Sequence, residues 1–79
     1  MKPQPLFVGE ENQTHEEVVR SYVASLDDCD GYRPGECWGK WYLRDDEDDR
    51  WLVVWVTLVS VGPADWRFAV FEDGPSFRI

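Results

Sequence analysis

Basic residues are scarce in this chain: eight Lys and Arg stand against sixteen Asp and Glu, which leaves a formal charge of −8 and a pI near 4.4. A surface of that sign repels phosphate backbones and anionic lipid, so neither direct nucleic-acid binding nor membrane binding is expected. Histidine occurs once, at His15, and cysteine twice, at Cys29 and Cys37. Three such residues fall short of the four ligands that a structural zinc ion takes, and no metal or cofactor is expected. Long apolar runs are missing as well. The longest, Trp51 to Val61, holds eleven residues and includes Thr57 and Ser60, whereas a bilayer-spanning helix needs about 20. Near the start, Lys2 is followed by Pro3 and Pro5, and Leu6-Phe7-Val8 is too short to be the apolar centre of a secretory signal. The expected location is the cytoplasm.

What remains is dense in aromatics. Five Trp, three Tyr and four Phe in 79 residues exclude a disordered acidic tail, which lacks such side chains. The length suits a single small domain over residues 1–79 with one core.

Thr14 followed three residues later by Glu17 reads as a capping box, in which each side chain satisfies a backbone N–H at a helix start. Behind it Val18, Val19, Tyr22, Val23 and Leu26 recur on one side of a helix expected over residues 13–28. Residues 1–12 read as an extended segment. The second half, 37–73, reads as an antiparallel sheet with strands Cys37–Arg44, Arg50–Val61 and Trp66–Asp73 in meander order. The acidic run Asp45 to Asp49 and Gly62-Pro63-Ala64-Asp65 supply the reversals, and Gly74-Pro75 leads into a tail over 74–79. The expected fold class is therefore α+β, one helix packed on a three-stranded antiparallel meander, with residues 6–8 available as a fourth strand.

The middle strand is apolar on both faces: Trp51, Val53, Trp55, Thr57, Val59 on one and Leu52, Val54, Val56, Leu58 on the other. One helix covers one face. The other calls for residues 3–8, a second copy of the chain in a homodimer, or a partner. Twelve residues at about 3.3 Å each exceed an ordinary strand, so a strong twist, a bulge or fraying is expected near Ser60.

Catalytic and metal patterns fail one by one. Placing Gly31 at the sixth position of a calcium loop puts Leu26 at the first and Cys37 at the twelfth, where acids are needed. Neither Cys29 nor Cys37 has a flanking signature or an orienting third residue that would pair it with His15 as a nucleophile, and His15 reads as a solvated residue of the first helical turn. No enzymatic activity is expected. A disulfide between Cys29 and Cys37 would stabilise the fold by roughly 2–3 kcal/mol through loop closure; a reducing cytoplasm favours two free thiols instead.

The charge imbalance is local. Between Asp27 and Asp49 nine acids against three bases leave −6, most of it in Asp27, Asp28 and Asp30 and in Asp45, Asp46, Glu47, Asp48 and Asp49. A charge run is ordinarily a solvated hairpin tip that protects a sheet edge. Fixed carboxylates can also stand where phosphates would, and so draw a Lys/Arg groove by charge. Aromatics beside them, Trp38, Trp41, Tyr42 and Trp51, would then supply anchoring contacts. Whether the two acidic stretches lie at the same end depends on how the helix crosses the sheet.

The acidic stretches DDCD and DDEDD with the neighbouring WGKWY, in a small acidic chain, give it a class-level resemblance to the phage-encoded anti-CRISPR proteins. That resemblance implies a non-enzymatic inhibitor acting in the host bacterial cytoplasm. Its partner would be a CRISPR-Cas effector, a type I surveillance complex whose basic DNA path Asp27, Asp28, Asp30 and Asp45 to Asp49 would occupy, with Trp38, Trp41 and Tyr42 as anchors. Two other readings suit the same features: an immunity protein or antitoxin that neutralises a basic toxin, and a homodimeric phage accessory protein.

Overall fold

The computed structural model describes residues 4–45 and 51–73. Thr14 opens the helix as its spacing requires: its hydroxyl accepts from Glu17 N at 3.3 Å, and the Glu17 carboxylate accepts from Thr14 N at 2.8 Å. The helix, α1, covers His15–Ala24 and buries Val18, Val19 and Tyr22. It ends four residues earlier than the apolar spacing predicts. Ser25 turns the chain there, its backbone N–H and its hydroxyl both donating to Tyr22 O, at 3.0 and 2.6 Å. No basic residue occupies the last turn, and Asp27 and Asp28 would meet the negative end of the helix dipole if the helix ran on.

Among the described residues five strands form one antiparallel sheet: β1 (Phe7–Val8), β2 (Cys29–Pro34), β3 (Lys40–Asp45), β4 (Trp51–Gly62) and β5 (Asp65–Glu72), in the order β1-β5-β4-β3-β2. The α+β class and the meander hold, and the segment 6–8 does add a strand. The expected sheet is corrected in two places. Residues 29–34, left unassigned between the helix expected to 28 and the sheet expected from 37, pair with β3 as an edge strand. Gly31 and Pro34 are tolerated there because an edge strand leaves one row of backbone groups unpaired and accepts a bulge. The third strand of the chain then begins at Lys40 rather than Cys37. Residues 37–39 make the turn, with Lys40 N donating to Cys37 O at 3.0 Å and Gly39 at φ 86°.

Facing residues of antiparallel neighbours share a side, so register and burial assign both faces. Toward α1 lie Trp41 and Leu43 of β3, Val54 and Val56 of β4 and Val70 of β5, which form the core with Val18, Val19 and Tyr22. The chain passes close under the helix at Gly9, where a Cβ would collide with Val18 Cγ2. The long strand β4 breaks register between Ser60 and Gly62; of the strong twist, bulge or fraying expected near Ser60, this is the irregularity the pairing shows. Of the segment 3–8, residue 3 lies outside the described residues, and Phe7–Val8 does not lie over the far face. Phe7 and Val8 pair with Val70 and Ala69 at the edge of the sheet instead, because their backbone groups find hydrogen-bond partners on β5.

Candidate functional site

The chain leaves α1, turns at Leu26 to Asp28 and enters β2, whose first residue, Cys29, faces Asp45, the last residue of β3. Cα atoms so paired lie about 5 Å apart. Register shifts between Cys29 and Gly31, which makes Asp30 the extra residue of a β-bulge. The helix orientation thus brings Asp27, Asp28, Asp30 and Asp45 to one end of the molecule. The first three are exposed and Asp45 is half-buried. Between them Leu26, Asp28, Cys29, Leu43, Arg44, Asp45 and Leu52 line a shallow cavity of about 170 Å³. Its floor is apolar and its rim carries carboxylates. Asp46, Glu47, Asp48 and Asp49, the rest of the acidic run, lie outside the described residues.

The aromatics named as anchors part company. Tyr42 lies on the face away from α1, and its ring meets Trp51 edge-on, centroids 6.3 Å apart. The Arg33 guanidinium lies 5.1 Å from the Tyr42 centroid and 4.7 Å from that of Trp51, a double cation–π contact. Trp55 and Phe71 face one another farther along the same side. This aromatic layer shields Val53, 2 % exposed, and Ala69, fully buried, where no helix does.

Trp41 points the other way. It is 8 % exposed, belongs to the core and packs against Tyr32 at 5.9 Å. Trp38 is 80 % exposed, but it sits in the β2–β3 turn, at the opposite end of β3 from Asp45. Of the four aromatics named beside the acidic stretches, Tyr42 and Trp51 lie on the open face of the sheet. Trp51 and Trp55 share that face by the period-two alternation of β4, a signal present in the sequence.

His15 departs from its reading as a solvated residue. Its imidazole packs against Trp38 and Phe68, each with centroids 4.3 Å away, and burial lowers its pKa from 6.5. Both cysteines are free thiols. Cys29 Sγ donates to Gly31 O at 3.4 Å, and burial, the largest influence on it, pushes the thiol pKa upward. It is held as an unreactive thiol.

Among the described residues no group of three or more His, Cys, Asp or Glu could hold a metal ion, and no helix is long and apolar enough to cross a membrane. No family model matches the chain, and neither does any curated protein or solved structure.

Proposed function

We propose that this chain is a non-enzymatic binding protein that presents its acidic end to the cationic nucleic-acid groove of a CRISPR surveillance complex and thereby blocks target DNA. The observation that carries the reading is the Cys29–Asp45 pairing, which brings Asp45 to the same end as Asp27, Asp28 and Asp30, residues far from it in sequence. A DNA duplex offers one negative charge per roughly 1.7 Å of axis. Few folded elements approach that density, and carboxylates at the margin of a sheet approach it with little freedom to lose on binding.

Charge of this kind raises the association rate and selects a basic partner. Affinity is assigned to apolar contacts next to it: the floor of the acidic cavity at Leu26 and Leu52, and the Tyr42–Trp51 pair on the open face.

The test is direct binding of the purified chain to a purified type I surveillance complex, with and without target duplex. Binding that the duplex competes away supports the reading. A complex that takes up chain and duplex together overturns it. Capture of a basic toxin with no affinity for any surveillance complex would move the acidic end to the immunity-protein reading.

A further inference from the structure

We propose that the strip formed by Trp38, His15, Phe68, Leu58 and Trp66 is a second docking surface, and that it takes a cationic amphipathic helix of a partner protein. The strip is continuous. The His15 imidazole lies 4.3 Å from the Trp38 ring on one side and 4.3 Å from Phe68 on the other. Phe68 faces Leu58 across the β4–β5 ladder, and Trp66, two residues before Phe68, projects from the same side of β5. Trp38 is 80 % exposed, Trp66 59 % and Leu58 49 %. Two such indoles leave roughly 300 Å² of ring open to water. With Leu58 the patch falls within about 300–600 Å², where the largest apolar patch of a monomer is often functional. It stands apart from the acidic end, since Trp38 and the β4–β5 hairpin lie at the ends of β3 and β4 away from Asp45 and Trp51.

Charge selects the occupant. Gly9 N donates to Phe68 O at 2.8 Å, which sets the exposed Glu10 and Glu11 along the β5 side of the strip. Glu36 stands at its other end, where it lines a cavity of about 350 Å³ together with His15 and Trp38. Neither Glu11 nor Glu36 forms a salt bridge with a described residue. The cations within reach are already held: Arg67 by Asp65 at 3.2 Å, Lys40 by Asp73 at 3.5 Å and Arg20 by Glu16 at 3.4 Å. An apolar strip with an acidic margin fits a guest whose apolar residues are flanked by Lys or Arg. A second copy of this chain would set the same glutamates against one another, and an anionic lipid surface would meet them with like charge.

Length selects a helix. From Trp38 through His15 and Phe68 to Trp66 the strip runs at most about 15 Å, the last step being two strand residues. Apolar side chains at i, i+3, i+4 and i+7 of a helix form a ridge about 11 Å long, so two turns cover the strip. An added strand fits less well. Phe7 and Val8 already pair with Val70 and Ala69, which leaves β5 an open edge near the hairpin alone. Bases flanking the apolar ridge then meet Glu36 on one side and Glu10 and Glu11 on the other. None of these contacts uses Asp27, Asp28, Asp30 or Asp45, so the strip can be filled while the acidic end is engaged.

The experiment titrates a synthetic helical peptide of about 18 residues, Leu at i, i+3, i+4 and i+7 and Lys elsewhere, into the isotope-labelled full chain at physiological salt, with the five Trp indole N–H signals followed by NMR. Saturable shifts of Trp38 and Trp66 are expected. Replacing Leu58 and Trp66 by Ser should weaken the peptide about tenfold or more, as loss of central apolar anchors does. Glu11→Gln with Glu36→Gln should weaken it and flatten its salt dependence. The same peptide with Glu in place of Lys should bind at least about tenfold more weakly. Replacing Asp27, Asp28, Asp30 and Asp45 by Asn should leave the affinity within about twofold. If the Leu58 and Trp66 variant does not fold, the indole shifts of the unaltered chain and the Glu peptide decide. Shifts confined to Trp51, equal binding of the Glu peptide, or loss of binding on neutralising the acidic end overturns the proposal. So does a dimer of the chain alone that shifts Trp38 and Trp66 as protein concentration rises.

Discussion

Cys29 stands directly across from Asp45 in the β2–β3 register, so the bulge that carries Asp30 and the end of the strand that leads into the acidic run form one edge. Neutralising that edge should change recognition and leave folding alone. Replacing Asp27, Asp28, Asp30 and Asp45 by Asn is expected to preserve the circular dichroism spectrum. Association with a basic partner should slow by about tenfold or more at low salt, where electrostatic steering is strongest. The rate should also lose most of its dependence on ionic strength. Replacing Asp45, Asp46, Asp48 and Asp49 by Asn tests the acidic run in the same way. Stopped-flow kinetics at two salt concentrations checks both, and unchanged rates would reduce the carboxylates to a solubility device.

The two tryptophans of the β2–β3 region make opposite predictions. Trp41 is in the core and Trp38 is 80 % exposed. Trp41→Ala should destabilise the fold by roughly 3–5 kcal/mol, as large-to-small core changes do, a loss comparable to the whole stability of a domain this small. Trp38→Ala should cost under about 1 kcal/mol, in keeping with surface sites. It should also leave partner association intact, because Trp38 lies at the far end of β3 from Asp45. Urea unfolding of both variants measures the difference, and equal losses would mean that the two rings are not divided between core and surface.

Most of the architecture was legible because it rests on local rules. The Thr14–Glu17 spacing located the helix start, the Gly62–Asp65 stretch located the β4–β5 hairpin, and the length of β4 announced an irregularity near Ser60. What escaped depended on tertiary pairing. Residues 29–34 carry turn formers and too few apolar residues for a strand, and they become one because the exposed edge of β3 offers them hydrogen-bond partners. Trp38, Trp41 and Tyr42 look alike in sequence. Strand alternation separates Trp41 from Tyr42, but it misleads when the strand begins at Lys40 and not at Cys37. His15 was misread for a similar reason: nothing local announces that Trp38, from the β2–β3 turn, and Phe68, from β5, close over the first turn of α1. The meeting of Asp45 with Asp27, Asp28 and Asp30 was equally invisible, since it follows from the path of the helix over the sheet.

The β4–β5 hairpin offers a stabilising change. Ala64 holds a left-handed backbone conformation, φ 58°, which disfavours a residue bearing a Cβ by roughly 1–2 kcal/mol. Glycine relieves that strain and gives part of it back through the greater freedom of the unfolded chain. Ala64→Gly is expected to raise stability by about 0.5–1 kcal/mol, visible as a higher urea midpoint with an unchanged slope. A fall in the midpoint would show that the Ala64 conformation costs the native chain nothing.

Acid should weaken the fold in two separable stages. His15 is a base whose folded pKa is pushed below 6.5 by burial, so the unfolded chain binds a proton more readily than the native one. Stability therefore falls as pH drops from 6.5 toward the lower folded value, and levels off below it. Glu36, Cys37 and Lys40 line the cavity beside the imidazole, with the rings of Trp38 and Phe68 packed on it. Glu17 titrates in the opposite sense: backbone and side-chain hydrogen bonds with Thr14 hold its pKa below 4.5, so its contribution is complete above 4.5 and is lost as pH falls through the folded value. His15→Phe should abolish the first stage and Glu17→Gln the second, while Thr14→Ala, which keeps the backbone N–H bonded to the Glu17 carboxylate, should lower stability at neutral pH by about 1 kcal/mol through loss of the cap. Urea midpoints taken across this range read both, and an acid profile that His15→Phe leaves unaltered would mean that the imidazole is solvated in the native protein.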